Sequence, residues 1–327
     1  QVDARPTPAN MGCATSKAES AAADEKIDIT IADDGAASAP APAPATPKYQ
    51  RRGTLGKGAF GVVYRVVGED GKEYALKAVK RPKAADRWRV IKREAELWGS
   101  LGEHPNIVSL IEAIEGEEEL SCVSIICSGG ELMETLANGT STFSEETARL
   151  VAVQVAAGLG HLHLTHSMAH CDVKPANLIC LHERVAEVGC VKLCDFGSAQ
   201  RFREAKAVEF DAEVGTLEYA SPELVANGLA REVGGPKILY GAGIDCWALG
   251  CVVYELLFGE PPFFSKDDKV QVRLIQKHDL KFPPEVFDLV SAPSKGFIRL
   301  LLAPEPQMRM GIAEALRHPW LQSLHGD

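Results

Sequence analysis

The stretch that decides the fold is HCDVKPANLICLHERVAEVGCVKLCDFG, at residues 170–197. Within the reach of one short hairpin it carries Asp172, Lys174, Asn177 and Asp195. An acid, a cation, an amide and a second acid at this spacing suit phosphoryl transfer from a magnesium nucleotide. One group orients the attacking hydroxyl, one neutralises the moving phosphoryl and two hold the metal. The stretch therefore predicts the active site of a phosphotransferase.

These residues resemble the eukaryotic protein kinase family, whose HRDLKPEN and DFG signatures occur here as HCDVKPAN and DFG. The resemblance implies ATP and Mg²⁺, with Asn177 and Asp195 coordinating the metal. It implies that Asp172 accepts or orients the hydroxyl proton and that Lys174 meets the γ-phosphate. His170 is expected to be a structural member of the same loop.

The resemblance also implies protein serine or threonine as the acceptor. Lys174 stands where tyrosine kinases have an arginine pattern, and Thr216 lies in GTLEYASPE, residues 215–223. This segment resembles a peptide-docking platform, which disfavours a lipid or small-metabolite kinase. The residues expected to take part in catalysis are Asp172, Lys174, Lys77, Glu94 and Thr216.

A glycine-rich segment, GKGAFG at residues 56–61, is followed by the β-branched run VVYRVV. This order favours a β-hairpin, whereas a dinucleotide-binding fold would open a helix there. In the family that the chain resembles, this hairpin covers the phosphates, and the lysine of YALK, Lys77, grips them. Glu94, in a helix predicted over residues 87–101, is placed to pair with Lys77. Its rival Glu96 lies only two positions away and faces elsewhere.

The segment SIICSGGEL, residues 124–132, resembles the hinge of calmodulin-dependent-type kinases. By that match Ile125 and Cys127 offer backbone groups to adenine, and Ser124 is an unusually small gatekeeper. Glu131 would bind ribose or a substrate arginine, or it is a solvated acid at a helix start. The residues expected to bind the nucleotide are Gly56, Gly58, Gly61, Val63, Ala75, Lys77, Ile125, Cys127 and Ile179.

Every signature block occurs in order, which predicts a bilobal α+β kinase fold with a small antiparallel sheet lobe and a larger helical lobe. The expected segments are a tail at 1–48, a kinase domain at 49–321 divided near residue 127, and a short tail at 322–327. The chain is most similar to the calcium/calmodulin-dependent group. It has no DxDxDG loop, so a built-in EF-hand switch is not expected. The alternative is a pseudokinase scaffold, although the lysine and both aspartates that such proteins usually lack are present.

Composition restricts the class of protein. The chain has 327 residues, 46% of them hydrophobic, which is enough for a sizeable core. Its net charge of -10 does not suggest a nucleic-acid binder, whose mark is a basic surplus. Nine cysteines without a CxxC pair or a secretory signal favour reduced thiols in the cytoplasm. No apolar run is long enough to span a bilayer.

The first 48 residues are rich in Ala, Pro, Ser and acidic residues and are expected to be disordered. They contain MGCATS at residues 11–16. If translation begins at Met11, Gly12 matches a myristoylation site and Cys13 a palmitoylation site. Two acyl chains would give peripheral membrane contact, whereas one gives only marginal binding. The alternative is that this match is accidental.

One departure from the family concerns regulation. Cys171 replaces the arginine that, in many kinases, holds a phosphate on the activation loop. Residues 199–215 contain no Ser, Thr or Tyr. Loss of the cation and loss of its phosphorylatable partner agree with each other. They predict catalysis that does not depend on phosphorylation in this loop.

Packing expectations complete the sequence analysis. Trp98 shares a helix face with Glu94 and should pack beside Phe196. Arg309 is the expected partner of Glu223. An apolar helix is predicted at residues 245–258 and a surface loop at residues 226–243.

Three histidines, His161, His163 and His166, invite a metal site. Their spacing on a helix would spread them over different faces, which disfavours that reading.

Overall fold

Five antiparallel strands form the sheet of the N-terminal lobe, in the order β1-β2-β3-β5-β4. Their bounds are β1 Tyr49–Gly58, β2 Gly61–Gly68, β3 Glu73–Lys80, β4 Leu110–Glu115 and β5 Glu119–Ile125. The computed structural model describes residues 48–58, 61–136, 142–202, 216–232, 240–284 and 290–323. These residues belong to one unit that begins at Pro47.

The apolar side of this sheet is built from β-branched and small residues, which suit a pleated surface. Val66, Leu76, Ala78 and Val123 are at most 6% exposed, and three tyrosine rings pack against them. Gly61 opens β2 with a backbone φ of +150°, and a Cβ there would lie 2.3 Å from the carbonyl oxygen of Ala78. Glycine is therefore required where the β1–β2 hairpin approaches β3.

Helix α1, Ala85–Gly99, lies beside β4. It begins and ends two residues before the predicted bounds. Trp98 is buried and donates from Nε1 to the carbonyl oxygen of Val108 at 2.6 Å. Its ring centroid lies 6.1 Å from that of Phe196, which confirms the predicted contact. Through these two contacts α1 is fixed to both lobes.

The C-terminal lobe is mainly helical. Its helices are α2 Leu132–Leu136, α3 Glu145–Gly160, α4 Pro222–Glu232, α5 Gly243–Phe258, α6 Asp268–Lys277, α7 Ala292–Leu301, α8 Ile312–Ala315 and α9 Pro319–Gln322. Its short strands are β6 Gly130–Glu131, β7 Met168–Ala169, β8 Leu178–Cys180, β9 Val191–Leu193 and β10 Gln200–Arg201. The small sheet lobe and the helical lobe confirm the predicted bilobal α+β fold. Among the residues described, no helix has the length and apolar character to cross a bilayer.

Helix α5 is buried on almost every side, as its sequence predicts, and begins two residues before the predicted start. Gly259, with φ of +87°, ends it as a left-handed C-cap. Nearby, Arg309 and Glu223 form a buried bidentate ion pair with N–O distances of 2.6 and 2.8 Å. This confirms the expected pairing and anchors the end of the segment 215–223 to the lobe.

The prediction of a surface loop over residues 226–243 is wrong at its start. Helix α4 continues through the first seven of these residues to Glu232. The sequence there, ANGLARE, consists largely of good helix formers, and α4 packs on α6. The residues 233–239 lie outside the described part of the chain.

Helix α3 passes into one turn of π-helix at His161–Thr165. The expectation that the three histidines lie on different faces is wrong for two of them. Because a π-turn bonds residue i to residue i+5, it places His161 and His166 on one side. Their Nε2 atoms are 3.1 Å apart, whereas His163 points to Asp245 at 2.7 Å.

Candidate active site

A cavity of about 640 Å³ is lined by residues of both lobes. All residues predicted to bind the nucleotide or the metal contribute to its lining. These are Gly56, Gly58, Gly61, Val63, Ala75, Lys77, Ile125, Cys127, Asn177, Ile179 and Asp195. The structure thus brings together positions that lie far apart in the sequence.

The β2–β3 ladder explains one wall of the cavity. Val63 lies opposite Lys77 in the ladder, and Ala75 precedes Lys77 by two residues. Opposed residues and residues two apart share a face of a sheet, so these three side chains point to the same side. Ile179, on β8, lines the cavity from the other lobe.

The segment after β5 forms the wall predicted as a hinge. Ile125 ends β5, and its amide donates to the carbonyl oxygen of Ser109 at 3.3 Å. The amide of Cys127 has no backbone hydrogen bond to any other described residue. Ser124 is 6% exposed and lines the same cavity as Trp98 of α1, where its side chain is unusually short for a gatekeeper.

The sequence analysis did not predict a nucleotide contact for several cavity-lining residues, among them Leu55, Trp98, Val108 and Cys194. Leu55 and Cys194 directly precede Gly56 and Asp195, and only this adjacency to motif residues could have indicated that they line the cavity. Trp98 was expected to be core, which it also is. Apolar lining residues carry no polar signature, so their role becomes visible only in three dimensions.

Lys77 lies at the centre of the charged end of the cavity. Its Nζ is 2.6 Å from Oε1 of Glu94 and 3.8 Å from Oδ1 of Asp195. Burial alone would lower the pKa of Lys77, but the two carboxylates raise it above its usual value. Glu96 is exposed, so the structure pairs Lys77 with Glu94 and not with the rival acid.

A second group of polar side chains surrounds Asp172. Lys174 Nζ is 2.8 Å from Asp172 Oδ2 and donates to the hydroxyl of Thr216 at 2.8 Å. That hydroxyl donates to Asp172 Oδ1 at 3.2 Å. Asn177 Nδ2 donates to Asp172 Oδ2 at 3.0 Å and to its main-chain oxygen at 2.7 Å. The four residues therefore form one connected network.

This network faces a second cavity of about 800 Å³. Of these two cavities, Asp172, Lys174 and Thr216 line only the second, whereas Glu94 and Asp195 line both. The shared residues place the two cavities side by side. All five residues expected to take part in catalysis are thus close to one boundary, since Lys77 contacts both shared acids.

Asp245 holds the backbone of the loop that carries Asp172. Its carboxylate accepts from the amides of His170 and Cys171 at 2.7 and 2.8 Å and contacts Nε2 of His163 at 2.7 Å. Burial alone would raise the pKa of Asp245, but these hydrogen bonds hold it below its usual value. The sequence analysis missed this role. A lone acid in an apolar helix was the available signal.

His170 and Asp195 complete the description of the loops. The His170 ring contacts the carbonyl oxygen of Cys194 at 3.1 Å and packs beside Phe196, which agrees with a structural role. Asp195 has a backbone φ of +64°, a conformation that is uncommon outside glycine but that Asp adopts more often than most residues. Its Oδ1 accepts from the amide of Gly197 at 3.3 Å.

Cys171 lies in apolar surroundings. It is 4% exposed and clusters with Ala169, Tyr240 and Ile244, with Phe202 packed against the cluster. Burial raises the pKa of the Cys171 thiol well above its usual value. The residues 203–215 of the activation loop lie outside the described part of the chain.

Glu131 lines the first cavity together with Glu134. Burial and the neighbouring Glu134 carboxylate raise the pKa of Glu131. Two like charges at one edge of a cavity would be relieved by a bound cation. The predicted acylation residues Gly12 and Cys13 lie outside the described residues.

Comparisons with known proteins agree with this site. The protein kinase domain model matches residues 49–321. Calcium-dependent protein kinase 8 of Oryza sativa subsp. japonica is 31% identical over 277 residues, which cover 84% of this chain and 48% of that protein. Calcium-dependent protein kinase 14 of Arabidopsis thaliana is 30% identical over 279 residues, covering 84% and 49%. Death-associated protein kinase 2 of Mus musculus is 35% identical over 272 residues, covering 82% and 70%.

The chain spans about half the length of the two calcium-dependent protein kinases that it matches. The matched region nevertheless includes every kinase motif described above. These comparisons confirm the resemblance to serine/threonine kinases of the calcium/calmodulin-dependent group. The chain belongs to the protein kinase domain family.

Proposed function

We propose that this chain is a catalytically active kinase that transfers the γ-phosphate of ATP to serine or threonine hydroxyls of proteins. The observation that carries the proposal is the position of Lys77, whose ammonium contacts Glu94 and Asp195 at the boundary of the two cavities. An ammonium fixed by two carboxylates is a preorganised site for phosphate oxygens. The first cavity would hold adenine beside Ile125 and Cys127.

Oxygen atoms suitable for Mg²⁺ are present on Asn177 and Asp195. Both N–H bonds described for the Asn177 amide go to Asp172, so its Oδ1 remains an acceptor. Mg²⁺ takes oxygen ligands, and in nucleotide sites a few protein groups usually hold it together with the substrate phosphates. When bound with ATP, the ion would neutralise charge on the phosphate oxygens.

Asp172 would act on the acceptor hydroxyl. Its carboxylate already accepts a hydrogen bond from the hydroxyl of Thr216, and a substrate hydroxyl in the second cavity would be held in the same way. The hydroxyl oxygen would attack the γ-phosphorus as the bond from that phosphorus to the bridging oxygen breaks, and the proton would pass to Asp172. The products would be a phosphoprotein and ADP.

Lys174 would balance charge during transfer. It contacts Asp172 and Thr216 at 2.8 Å each, which fixes its ammonium beside the acceptor position. A cation held there would stabilise the negative charge that moves with the phosphoryl group. Thr216 connects the two residues and is proposed to position them.

A transfer assay tests this function. Radiolabelled ATP, Mg²⁺ and generic protein substrates are incubated with the chain and with its Asp195→Asn variant. Glu96→Gln is a matched control, because this acid lies on α1 but is exposed. We expect label on serine and threonine with the parent chain and with the control, and almost none with Asp195→Asn.

The alternative is a pseudokinase scaffold that binds nucleotide and partners without transfer. Nucleotide binding by the parent chain with no label on any protein would support that reading. Label on lipids or small metabolites alone would instead indicate a kinase of another substrate class. The intact set Lys77, Asp172, Asn177 and Asp195 favours the active enzyme.

The charge around Glu131 supports a basic side chain in the protein substrate. Glu134 and Ala176 line the first cavity together with it. Ala176 brings no third acid to this group. A peptide series in which one arginine at a time is replaced by alanine tests this proposal. Loss of the arginine preference in Glu131→Gln would support the proposal. A weaker affinity of Glu131→Gln for ATP would instead indicate that Glu131 binds the ribose.

We also propose that activity does not require phosphorylation in residues 199–215. The start of this segment is held by contacts that need no phosphate. Strand β10 pairs with β7, and Arg93 of α1 donates to Oε1 of Gln200 at 2.6 Å. Arg201 donates to the Ser100 hydroxyl at 2.7 Å, and the Phe202 amide to the Ser167 carbonyl oxygen at 2.8 Å.

Mass spectrometry and activity assays before and after phosphatase treatment test this independence. We expect unchanged activity and no phosphate in the segment 199–215. Activity that is abolished by the phosphatase and traced to a site in this segment would contradict the proposal.

Finally, we propose a cytoplasmic protein that contacts membranes through acyl chains on Gly12 and Cys13. The support is the sequence MGCATS alone. Protein expressed from Met11 should incorporate radiolabelled myristate, and Gly12→Ala should not. Equal labelling of the two would reject the tether.

A further inference from the structure

The charged side chains that line the second cavity do not balance. Each acid among them contacts a cation, with N–O distances of 2.6–3.8 Å, in the ion pairs Lys77–Glu94, Lys77–Asp195, Lys174–Asp172 and Arg51–Glu119. Three further cations, Lys57, Lys80 and Arg87, line the same cavity. None of the three has an acidic partner among the residues that the structure describes. The wall of this cavity therefore carries a surplus of positive charge, although the whole chain has a net charge of -10.

These three cations come from three different elements. Lys57 lies near the end of β1 in the glycine-rich hairpin, Lys80 ends β3, and Arg87 lies in the first turn of α1. All three residues are exposed, so their long side chains can reorient towards a ligand. A ligand that enters the cavity would meet a cation on the hairpin, on the end of a strand and on the helix.

One face of α1 forms part of the cavity wall. The α1 residues that line the cavity follow the i, i+3, i+4, i+7 spacing of a single helix face, and they are Arg87, Val90, Ile91 and Glu94. Val90 is 58% exposed, so this part of the face is accessible. Seven helical residues span about 10 Å, which places Arg87 roughly that far along the axis from Glu94. An extended peptide covers the same distance with about three residues.

The acceptor position lies in the same cavity. Asp172, Lys174 and Thr216 line it, and its volume of about 800 Å³ is larger than one serine or threonine side chain needs. Substrate residues on either side of the acceptor would therefore enter the cavity too. Because complementary charge across an interface favours one partner over another, cations without acidic partners would select substrates that carry an anion there.

We propose that Lys57, Lys80 and Arg87 form a subsite that binds an anionic side chain of the protein substrate, a few residues away from the acceptor hydroxyl. The group bound is a carboxylate or a phosphate, since both offer charged oxygen acceptors to Lys and Arg. This inference rests on the proposed transfer function and adds a substrate class to it. It differs from the subsite proposed at Glu131, which lines the first cavity and would take a cation.

The contribution of this subsite should be modest and sensitive to salt. Ion pairs between exposed groups are weak, so one anionic residue at the favoured position should raise kcat/KM by about threefold to tenfold over glutamine. Higher ionic strength screens such pairs, so the preference should decrease as salt is added. The change should appear mainly in KM, because the anion is bound equally well before and during transfer.

A peptide series tests the subsite. Each peptide has one acceptor serine and one glutamate, placed at a different position on either side of the serine, and the reference peptide has glutamine instead. The preferred peptide is also made with phosphoserine in place of the glutamate. The ratio of kcat/KM for the anionic peptide to that for the glutamine peptide is measured for the parent chain, Lys80→Gln, Arg87→Gln and Arg87→Lys. Arg89→Gln is the matched control, because Arg89 is an exposed cation of α1 that contacts Asp86 at 3.0 Å and does not line the cavity.

We expect a ratio well above one for the parent chain, Arg89→Gln and Arg87→Lys, and a ratio that falls towards one in Lys80→Gln and Arg87→Gln. Within that result, a larger ratio for phosphoserine than for glutamate identifies phosphate as the preferred group, and the opposite order identifies a carboxylate. A ratio near one in the parent chain would overturn the subsite, while label on the glutamine peptide would still support the proposed function. An equal loss with anionic and glutamine peptides in Arg87→Gln would place these cations on the nucleotide and would also overturn the subsite.

Discussion

The ammonium of Lys77 lies 2.6 Å from the carboxylate of Glu94, and this contact joins β3 to α1 across the candidate active site. Asp195 is 3.8 Å from the same ammonium. The sheet, the helix and the loop after β9 therefore meet at one charged atom. A shift of α1 would therefore change the distance between Lys77 and Glu94.

Replacing Glu94 by Gln should lower kcat/KM for ATP-dependent transfer by about 10²-fold, since Lys77 loses the charge that holds it in place. Glu96→Gln, on the same helix but exposed, should change it less than twofold. Steady-state kinetics with one peptide substrate make this comparison. An equal decrease in kcat/KM in both variants would show that loss of the Lys77–Glu94 contact is not its cause.

Replacing Asp245 by Asn should lower the free energy of unfolding by about 3 kcal/mol, because a buried charged acceptor is lost. It should also lower kcat, since the amides of His170 and Cys171 lose their common partner. Urea denaturation measures the first effect. Asp279→Asn, which breaks an exposed pair with Lys281, should cost less than about 1 kcal/mol.

Stability should increase as the pH rises towards about 6.5, the usual pKa of histidine. The pKa values of His104 and His166 are lower in the folded chain than the usual 6.5, through burial first and then nearby cations. Below pH 6.5 the unfolded chain therefore binds more protons, so stability falls as the pH falls. Melting temperatures measure this slope, and His166→Gln should reduce it. An unchanged slope in that variant would show that His166 does not contribute to the pH dependence of stability.

Gly61→Ala should destabilise the β1–β2 hairpin and weaken ATP binding, because the new Cβ would lie 2.3 Å from the Ala78 carbonyl oxygen. Gly56→Ala meets no atom within 4 Å and is the control for stability. A drop in melting temperature is expected for the first variant only. A similar drop for Gly56→Ala would point to backbone freedom as the common cause.

Restoring the family's arginine with Cys171→Arg should destabilise the chain by several kcal/mol. The new cation would enter the apolar cluster of Ala169, Tyr240 and Ile244. Cys171→Ala removes volume without adding charge and should retain transfer activity. Denaturation curves and kinase assays of the two variants distinguish charge from volume. A stable, active Cys171→Arg would show that the cluster opens easily.

The sequence was most informative where polar side chains carry a fixed chemical task. Asp172, Asn177 and Asp195 occur at spacings that few other functions require, so their proximity was predictable. Apolar lining residues such as Val108 lack such a signature, because the same side chain would suit any core. The polar end of the cavity was therefore predicted in more detail than its apolar walls.

The π-turn shows a second limit of sequence reasoning. The α-helical period separates His161 from His166, and no local residue indicated that the helix would change its hydrogen bonding there. The contact of Asp245 with the main-chain amide of His170 was unpredictable for a similar reason, because main-chain amides carry no signal in the sequence. Such features depend on the tertiary arrangement and not on local propensity.

The link between Arg93 and Gln200 joins α1 to β10 without any added chemical group. Under the proposal that activity does not require phosphorylation in residues 199–215, this segment would not change the activity of each molecule. The cell would then control the total kinase activity through synthesis, degradation and localisation of the protein.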